Sequence, residues 1–328
     1  MSRQRRSLLV MEERRRDLVY PAAVRERIER IAPSIAPPMT REELAARPEA
    51  LAEVDLLFTG WGAPALTDDL LDHAPGLTGV FMAAGSVRGV TTPQFWNRGI
   101  PIVSAAAANA RPVVEFSFAH VLLGLKQAHR MARQMRVVPW PDKSGVLGVD
   151  GATVGVVSLG LIGRGLVDKL RTIDVHPLAY DPYAPADGDL ELASLEEVFS
   201  RSQVVSLHTP LLPETTGLIS GDLVRRLPWG GTLINTARGG VVDEPALIDV
   251  LRERPDLTAV LDVTDPEPPS PDSPLRTLPN AVLTAHLAGS HGRECQRLGE
   301  LVADEAERLV AGEPLQHVVA PATAHLRA

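Results

Sequence analysis

The stretch VGVVSLGLIGRGLVDKL, residues 154–170, decides the fold. Residues 153–159 form an unbroken apolar run, the pattern of a strand buried on both faces, and residues 164–172 read as the helix that follows it. Between them lies Ser158-Leu159-Gly160-Leu161-Ile162-Gly163-Arg164. A dinucleotide-binding unit needs a glycine-rich turn between strand and helix. Gly160 lets the backbone approach a pyrophosphate, and Gly163 lets helix and strand pack closely. The amides at the helix start, beside Leu161 and Ile162, face the phosphates, and the helix dipole favours their charge. Ser158 stands where such a turn usually has its first glycine. Taken alone, the turn also fits an ordinary strand–helix connection.

Asp181 lifts the dinucleotide reading above that alternative. It lies 21 residues beyond Gly160, at the end of the next run, Leu178-Ala179-Tyr180-Asp181. An acidic group at that place binds the hydroxyls of an adenosine ribose. Pro182, Tyr183 and Ala184 follow, with no Arg or Lys close by, so a 2′-phosphate would meet a bare carboxylate. The expected cofactor is NAD rather than NADP.

Outward from this core, residues 176–180, 204–208, 232–235, 258–262 and 281–286 read as further strands, and residues 195–200, 222–227 and 244–254 as helices. Near-unbroken apolar strands alternating with helices imply a parallel sheet covered on both faces. Upstream, residues 7–11, 55–59, 77–83 and 100–104 read as strands, and residues 22–31, 41–51 and 67–73 as helices. A long helical pattern at 113–135 bridges the two parts, and a helix at about 293–311 carries the chain back to the first. The expected class is α/β with two doubly wound parallel-sheet domains. With the family resemblance drawn below, this implies a Rossmann NAD-binding domain, residues 110–290, inserted into a flavodoxin-like substrate domain of residues 1–109 and 291–328.

Composition bounds the function. A chain of 328 residues has room for two cores, and its 45% hydrophobic and 23% charged residues fit a globular protein. The net charge of −8 argues against nucleic acid as a partner. No apolar stretch is long enough for a membrane span, and the N-terminal run is too short and charged for a secretory signal. Cys295 is the one cysteine, which rules out an intrachain disulfide or a cysteine-based zinc site. No metal is expected, and a reducing cytoplasm suits the chain.

Three ionisable residues close predicted strands or follow them: Arg238 in Asn235-Thr236-Ala237-Arg238-Gly239, Glu267 in Asp265-Pro266-Glu267-Pro268, and His286 in Thr284-Ala285-His286-Leu287. Open α/β sheets bind ligands outside the carboxyl ends of their strands. A guanidinium there binds a carboxylate or carbonyl oxygen, an imidazole donates a proton near neutral pH, and a carboxylate beside it orients the ring. Singly, each has an ordinary structural explanation. Together, behind a nicotinamide site, they suit the reduction of a keto acid.

At these residues the chain resembles the D-isomer-specific 2-hydroxyacid dehydrogenases. The resemblance rests on residues 154–164, 179–183, 204–217 (VVSLHTPLLPETTG), 231–243 (GTLINTARGGVVD), 260–267 with Ser273-Pro274-Leu275, and 280–289. It continues more loosely through Ala84-Gly85-Ser86-Val87 and residues 109–115. It implies two domains with the site in the cleft between them, usually in a homodimer. It gives Arg238 to the carbonyl and carboxylate of a 2-keto or 2-hydroxy acid substrate, His286 to acid–base work, and Glu267 to His286 as partner. It gives Asp262, Thr236 and Ala237 to the nicotinamide, and His208, Thr209, Pro210, Thr215 and Gly289 to the cofactor cleft. It gives the amides around Ala84, Gly85, Ser86 and Val87 to the substrate carboxylate, as a backbone nest. Asn109 joins the substrate-binding set, and Trp61 falls where a substrate-facing loop is expected.

The chain departs from the pattern at Ser158 and at Ala285, where a proline often precedes the histidine. Its loop at 82–90, whose one charged residue is Arg88, does not carry the Arg and Asp in the pattern of phosphoglycerate dehydrogenase-like relatives. The same Arg, Glu and His also occur in phosphite dehydrogenases, so a phosphorus oxyanion or phosphonate is the alternative substrate. A non-catalytic NAD-sensing corepressor on this fold is the reading from another class, and the intact trio counts against it. Asp181 makes the cofactor choice measurable: NADH should be preferred over NADPH by at least roughly tenfold in kcat/KM, since about 1.4 kcal/mol is enough for that ratio. Equal efficiency with NADPH in steady-state kinetics removes the assignment.

Overall fold

In the computed structural model, which describes residues 4–185, 188 and 190–326, the apolar runs become short parallel strands with buried side chains. The chain divides into two units, Met1–Asn109 with Ser290–Ala328, and Ala110–Gly289.

The first unit holds β1 (Ser7–Val10), β2 (Leu56–Thr59), β3 (Gly79–Met82) and β4 (Ile102–Ser104), paired in that order and all parallel. Residues 34–39 run beside β1 on its other side, joined only by the bridges Ser7↔Ser34 and Val10↔Met39. Pro33, Pro37 and Pro38 explain why no ladder forms there, because proline has no N–H to donate. With this segment included, the winding is flavodoxin-like: the second pass lies outside the first, and the third lies on the opposite side. The helix Gln296–Ala311 buries Leu298, Val302, Ala303 and Ala306 among Val19, Val24, Ile28, Phe58 and Phe81.

The second unit holds β5 (Ala152–Val157), β6 (Val175–Tyr180), β7 (Glu191–Leu192), β8 (Val204–Leu207), β9 (Thr232–Asn235), β10 (Thr258–Leu261) and β11 (Ala281–Leu283). Their order is β11-β10-β9-β8-β5-β6-β7, with every pair parallel. The winding reverses between β5 and β8, the place where Rossmann sheets open a ligand crevice. One apolar cluster centres on Phe199, Leu233, Leu247 and Leu261, and a second on Val154, Leu166, Ile234 and Val260.

Several boundaries differ from the sequence reading. The helix after β5 spans Leu161–Leu170, three residues earlier than expected, with Gly160 as its N-cap. The long helix begins at Ala106 in an alanine-rich run of high helix propensity and ends at Leu125. Gln127 then takes a left-handed conformation, φ 46°, before the helix Ala128–Gln134. Its side chain is held there, donating to the Gly145 carbonyl at 3.1 Å and accepting from Arg130 Nε at 2.7 Å. The helix expected at 41–51 stops at Ala46, and a 3-10 turn, Pro48–Leu51, opens on the proline. The charged run at 12–17 becomes the helix Glu13–Val19, which buries only Val19.

Gly163 sets how closely the helix Leu161–Leu170 approaches β5. A Cβ at 163 would lie 2.0 Å from the Ser158 carbonyl oxygen and 3.5 Å from Val156 Cγ1. Gly163→Ala should therefore push the helix off the sheet, costing about 1–3 kcal/mol by overpacking. Chemical denaturation would measure that loss, and a variant as stable as the parent would show that the turn yields.

Candidate functional site

Every residue proposed for the second unit sits at or just beyond the carboxyl end of its sheet. Ser158, Gly160, Leu161, Ile162 and Gly163 follow β5, and Asp181 follows β6. His208, Thr209, Pro210 and Thr215 follow β8; Thr236, Ala237 and Arg238 follow β9; Asp262 follows β10; His286 and Gly289 follow β11. Parallel strands bring these loops to one edge, though they lie far apart in sequence.

The glycine turn is shaped by backbone demands. Ser158 has φ 75°, the left-handed region that a glycine enters freely and another L-residue enters at about 1–2 kcal/mol. Its amide donates to the Tyr180 carbonyl at 2.7 Å, and its hydroxyl lies 2.9 Å from Thr209 Oγ1. The hydroxyl is thus engaged with the β8 loop. A Cβ at Gly160 would meet nothing within 4 Å, so the start of the helix is open. Open first-turn amides suit the pyrophosphate of a dinucleotide.

Asp181 joins two of these loops. Its Oδ2 accepts from Leu159 N–H at 2.7 Å, and its Oδ1 from Tyr183 and Ala184 N–H at 2.8 and 2.9 Å. Three acceptor positions are filled, and a carboxylate offers about four. His208 is half-buried, with Nε2 3.0 Å from Ser206 Oγ. Burial pushes its imidazole down to about 3, so it is neutral near pH 7. Thr215 Oγ1 donates to the Pro210 carbonyl at 2.6 Å and accepts from Leu212 N–H at 2.8 Å, closing the loop after β8.

Asn235 builds the loop that carries Arg238. Its Nδ2 donates to the Arg238 carbonyl at 2.9 Å, and its Oδ1 accepts from Ala237 N–H at 3.0 Å. Thr236 Oγ1 lies 3.1 Å from Ser117 Oγ. A Cβ at Gly239 would lie 2.0 Å from the carbonyl carbon of Thr264, so only glycine lets this loop touch the loop of Glu267. Glu267 reaches His286: Oε1 is 2.5 Å from Nδ1, and both side chains are partly exposed, 39% and 47%. With Nδ1 on the carboxylate, Nε2 is the nitrogen left for proton transfer.

The backbone at His286 is unusual. The strand expected to reach it stops at Leu283, because the chain turns and His286 takes φ 51°. Asp262, 1% exposed, holds this turn. Its Oδ1 accepts from Thr284 Oγ1 at 2.5 Å and Leu287 N–H at 2.9 Å, its Oδ2 from Ala288 N–H at 2.9 Å, and its carbonyl from His286 N–H at 2.9 Å. Oδ2 retains an acceptor position for a further donor. Thr284 was not singled out in the sequence; only its place before the histidine hints at it.

In the first unit, Ala84–Val87 follow β3. Ser104 Oγ donates to the carbonyls of Ala84 and Gly85 at 3.1 and 2.7 Å. In planar trans peptides, the N–H groups of Gly85 and Ser86 then point the opposite way, as an anion nest requires. Trp61 follows β2, with its carbonyl accepting from Glu12 N–H at 2.9 Å and the Arg15 guanidinium 4.8 Å above its ring. Asn109 Oδ1 accepts from Ser290 N–H at 3.1 Å, a structural contact the sequence did not suggest.

Comparisons with known proteins identify the family. The family profile described as D-isomer specific 2-hydroxyacid dehydrogenase, NAD binding domain, matches residues 118–288. The chain is 35% identical over 276 residues to a D-3-phosphoglycerate dehydrogenase of Mycobacterium leprae, covering 82% of this chain and 51% of that protein. It is 31% identical over 254 residues to a glyoxylate reductase of Korarchaeum cryptofilum, covering 75% of this chain and 76% of that one. The chain thus spans about half the length of the phosphoglycerate dehydrogenases it matches. A crystal structure of a Thermus thermophilus protein superposes with a TM-score of 0.75 at 26% identity, over 96% of this chain and 100% of that one.

Ser158 gives a three-way test. Ser158→Gly relieves the left-handed strain but loses the bond to Thr209, effects of similar size near ~1 kcal/mol. Its stability and NADH affinity should stay near the parent's. Ser158→Ala keeps the strain and loses the bond, and should be the least stable of the three by thermal melting. A large loss of NADH fluorescence enhancement in the glycine variant would make the hydroxyl itself a ligand.

Proposed function

Since the chain belongs to the D-isomer-specific 2-hydroxyacid dehydrogenase family, we propose that it interconverts a 2-keto acid and a D-2-hydroxy acid with NAD. The observation that carries this reading is the His286–Glu267 pair. It lies on the same sheet edge as the open glycine turn and Asp181. When bound, the nicotinamide supplies the hydride. The chain's own groups do the rest. Asp181 takes a ribose hydroxyl at its remaining acceptor position, and the first-turn amides after Gly160 take the pyrophosphate. Protonated His286 delivers a proton from Nε2 to the keto oxygen, while Glu267 holds the ring through Nδ1. Arg238 binds the carbonyl and carboxylate oxygens, so charge gathering on oxygen meets a fixed cation. Asp262 offers Oδ2 to the carboxamide. In the first unit, the amides of Gly85–Val87 serve a carboxylate, and Trp61 belongs to the substrate-facing loop.

A homodimer is the assembly we propose. It rests on the family; Met135, Val137, Val138, Trp140 and Leu147 of the second unit are exposed apolar side chains that such an interface could use. A cytoplasmic setting suits Cys295, which is buried and free of any disulfide.

The acid–base assignment is tested by NADH oxidation over a panel of 2-keto acids that includes hydroxypyruvate and phosphonopyruvate, with phosphite plus NAD in the reverse sense. On the best substrate, His286→Gln should cut kcat by roughly 10²–10⁴-fold while leaving NADH affinity within about threefold. Arg238→Lys should raise KM and lower kcat together, because an ammonium lacks the bidentate fork. Near-parent turnover in His286→Gln, with the same pH dependence, removes His286 from the mechanism.

A further inference from the structure

Glu244 lies outside the residues discussed so far, yet it contacts the loop that carries Glu267. It is the first residue of the helix Glu244–Glu253, behind the N-cap Asp243, whose Oδ1 accepts from Ala246 N–H at 3.1 Å. A glutamate there would ordinarily face solvent and interact only with the helix dipole. Here its Oε2 accepts from Asp265 N–H at 3.0 Å, a bond spanning 21 residues of sequence.

Asp265 stands two residues before Glu267. The intervening chain is held by Thr264 Oγ1, which donates to the Pro266 carbonyl at 2.8 Å. Thr264 also lies against Gly239, next to Arg238. Glu244 thus ties the start of its helix, six residues after Arg238, to the segment that carries Glu267. Burial pushes its carboxyl above the ordinary glutamate range, the Asp265 N–H pulls it back, and the Asp265 carboxylate pushes it up again.

We propose that Glu244 is a positioning residue that sets the placement of Glu267 against His286 by holding the Asp265 amide. The inference rests on the acid–base reading above, and it adds a residue outside the set assigned there to substrate and cofactor. Glu244→Ala removes the acceptor; Glu244→Gln keeps an oxygen in the same place. Losing a hydrogen bond to a charged group corresponds to about 10- to 100-fold when it acts on one step.

The experiment compares Glu244→Ala, Glu244→Gln, Glu267→Gln and the double variant Glu244→Ala/Glu267→Gln in the full chain. It reads kcat with the best keto acid, NADH affinity, and hydrogen exchange at residues 262–268. Glu244→Ala should lower kcat by about 10- to 100-fold with NADH affinity unchanged, and speed exchange at the Asp265 amide. Glu244→Gln should restore kcat to within about threefold and restore protection. The double variant should be no slower than Glu267→Gln alone, since Glu244 acts through Glu267. Multiplicative losses in the double variant, a glutamine variant as slow as the alanine one, or unchanged exchange would each overturn the proposal. Full activity in Glu267→Gln would instead overturn the acid–base reading, and the exchange data would still decide whether Glu244 holds the loop. If Glu244→Ala fails to fold, Glu244→Ser replaces it, being too short to reach the amide yet at ease in the first turn of a helix.

Discussion

The buried carboxylate of Asp262 is the constraint on which the catalytic end of the second sheet depends. A carboxyl group this deep must have donors, and it finds them in Thr284, Leu287 and Ala288. Those bonds leave the intervening chain little choice of path. His286 takes a left-handed backbone within this turn, a cost of about 1–2 kcal/mol that one or two such hydrogen bonds offset. The imidazole is aimed by a strained turn, and the turn is held by an acid at the end of the neighbouring strand. Glu267 then holds the ring through Nδ1.

The sequence displayed the fold more fully than it displayed the means by which the fold holds its site. The strand before Ser158, the spacing to Asp181 and the run from Asn235 to Gly240 carry local patterns, and local patterns can be read without a structure. The β1 side was harder. Residues 34–39 lie in the sheet region, yet their prolines suppress the alternation that marks a strand. The break at Gln127 was equally hidden, because tertiary bonds to Gly145 and Arg130 impose it. The charged residues 13–19 fold as a helix that buries a single side chain, too little for a periodic signal.

The same division runs through the site. Arg238, Glu267 and His286 announce themselves by residue type and by their places after strands. The contacts of Thr284, Asn109 and Ser104 do not, because each links segments whose nearness only the folded chain creates. Ser158 lies between the two cases. Its position in the turn is legible, because it stands where such a turn usually has its first glycine. The structure gives it a partner in Thr209 that a glycine would lack.

The proline-rich segment at residues 33–39 also bears on what the margin of the first sheet offers to another chain. A parallel sheet ends in a strand with unpaired polar groups along one side, which invites another chain to add itself. Along β1 several of those groups are bonded: Ser7 N–H donates to the Pro33 carbonyl and Met11 N–H to the Met39 carbonyl, while Ile35 and Met39 N–H return bonds to Ser7 and Leu9. The segment that occupies them makes a poor template in turn, since Pro33, Pro37 and Pro38 leave gaps in its own row of donors. The margin of the first sheet is thus guarded against edge-to-edge aggregation by a segment that bonds to β1 through two isolated bridges without forming a regular strand.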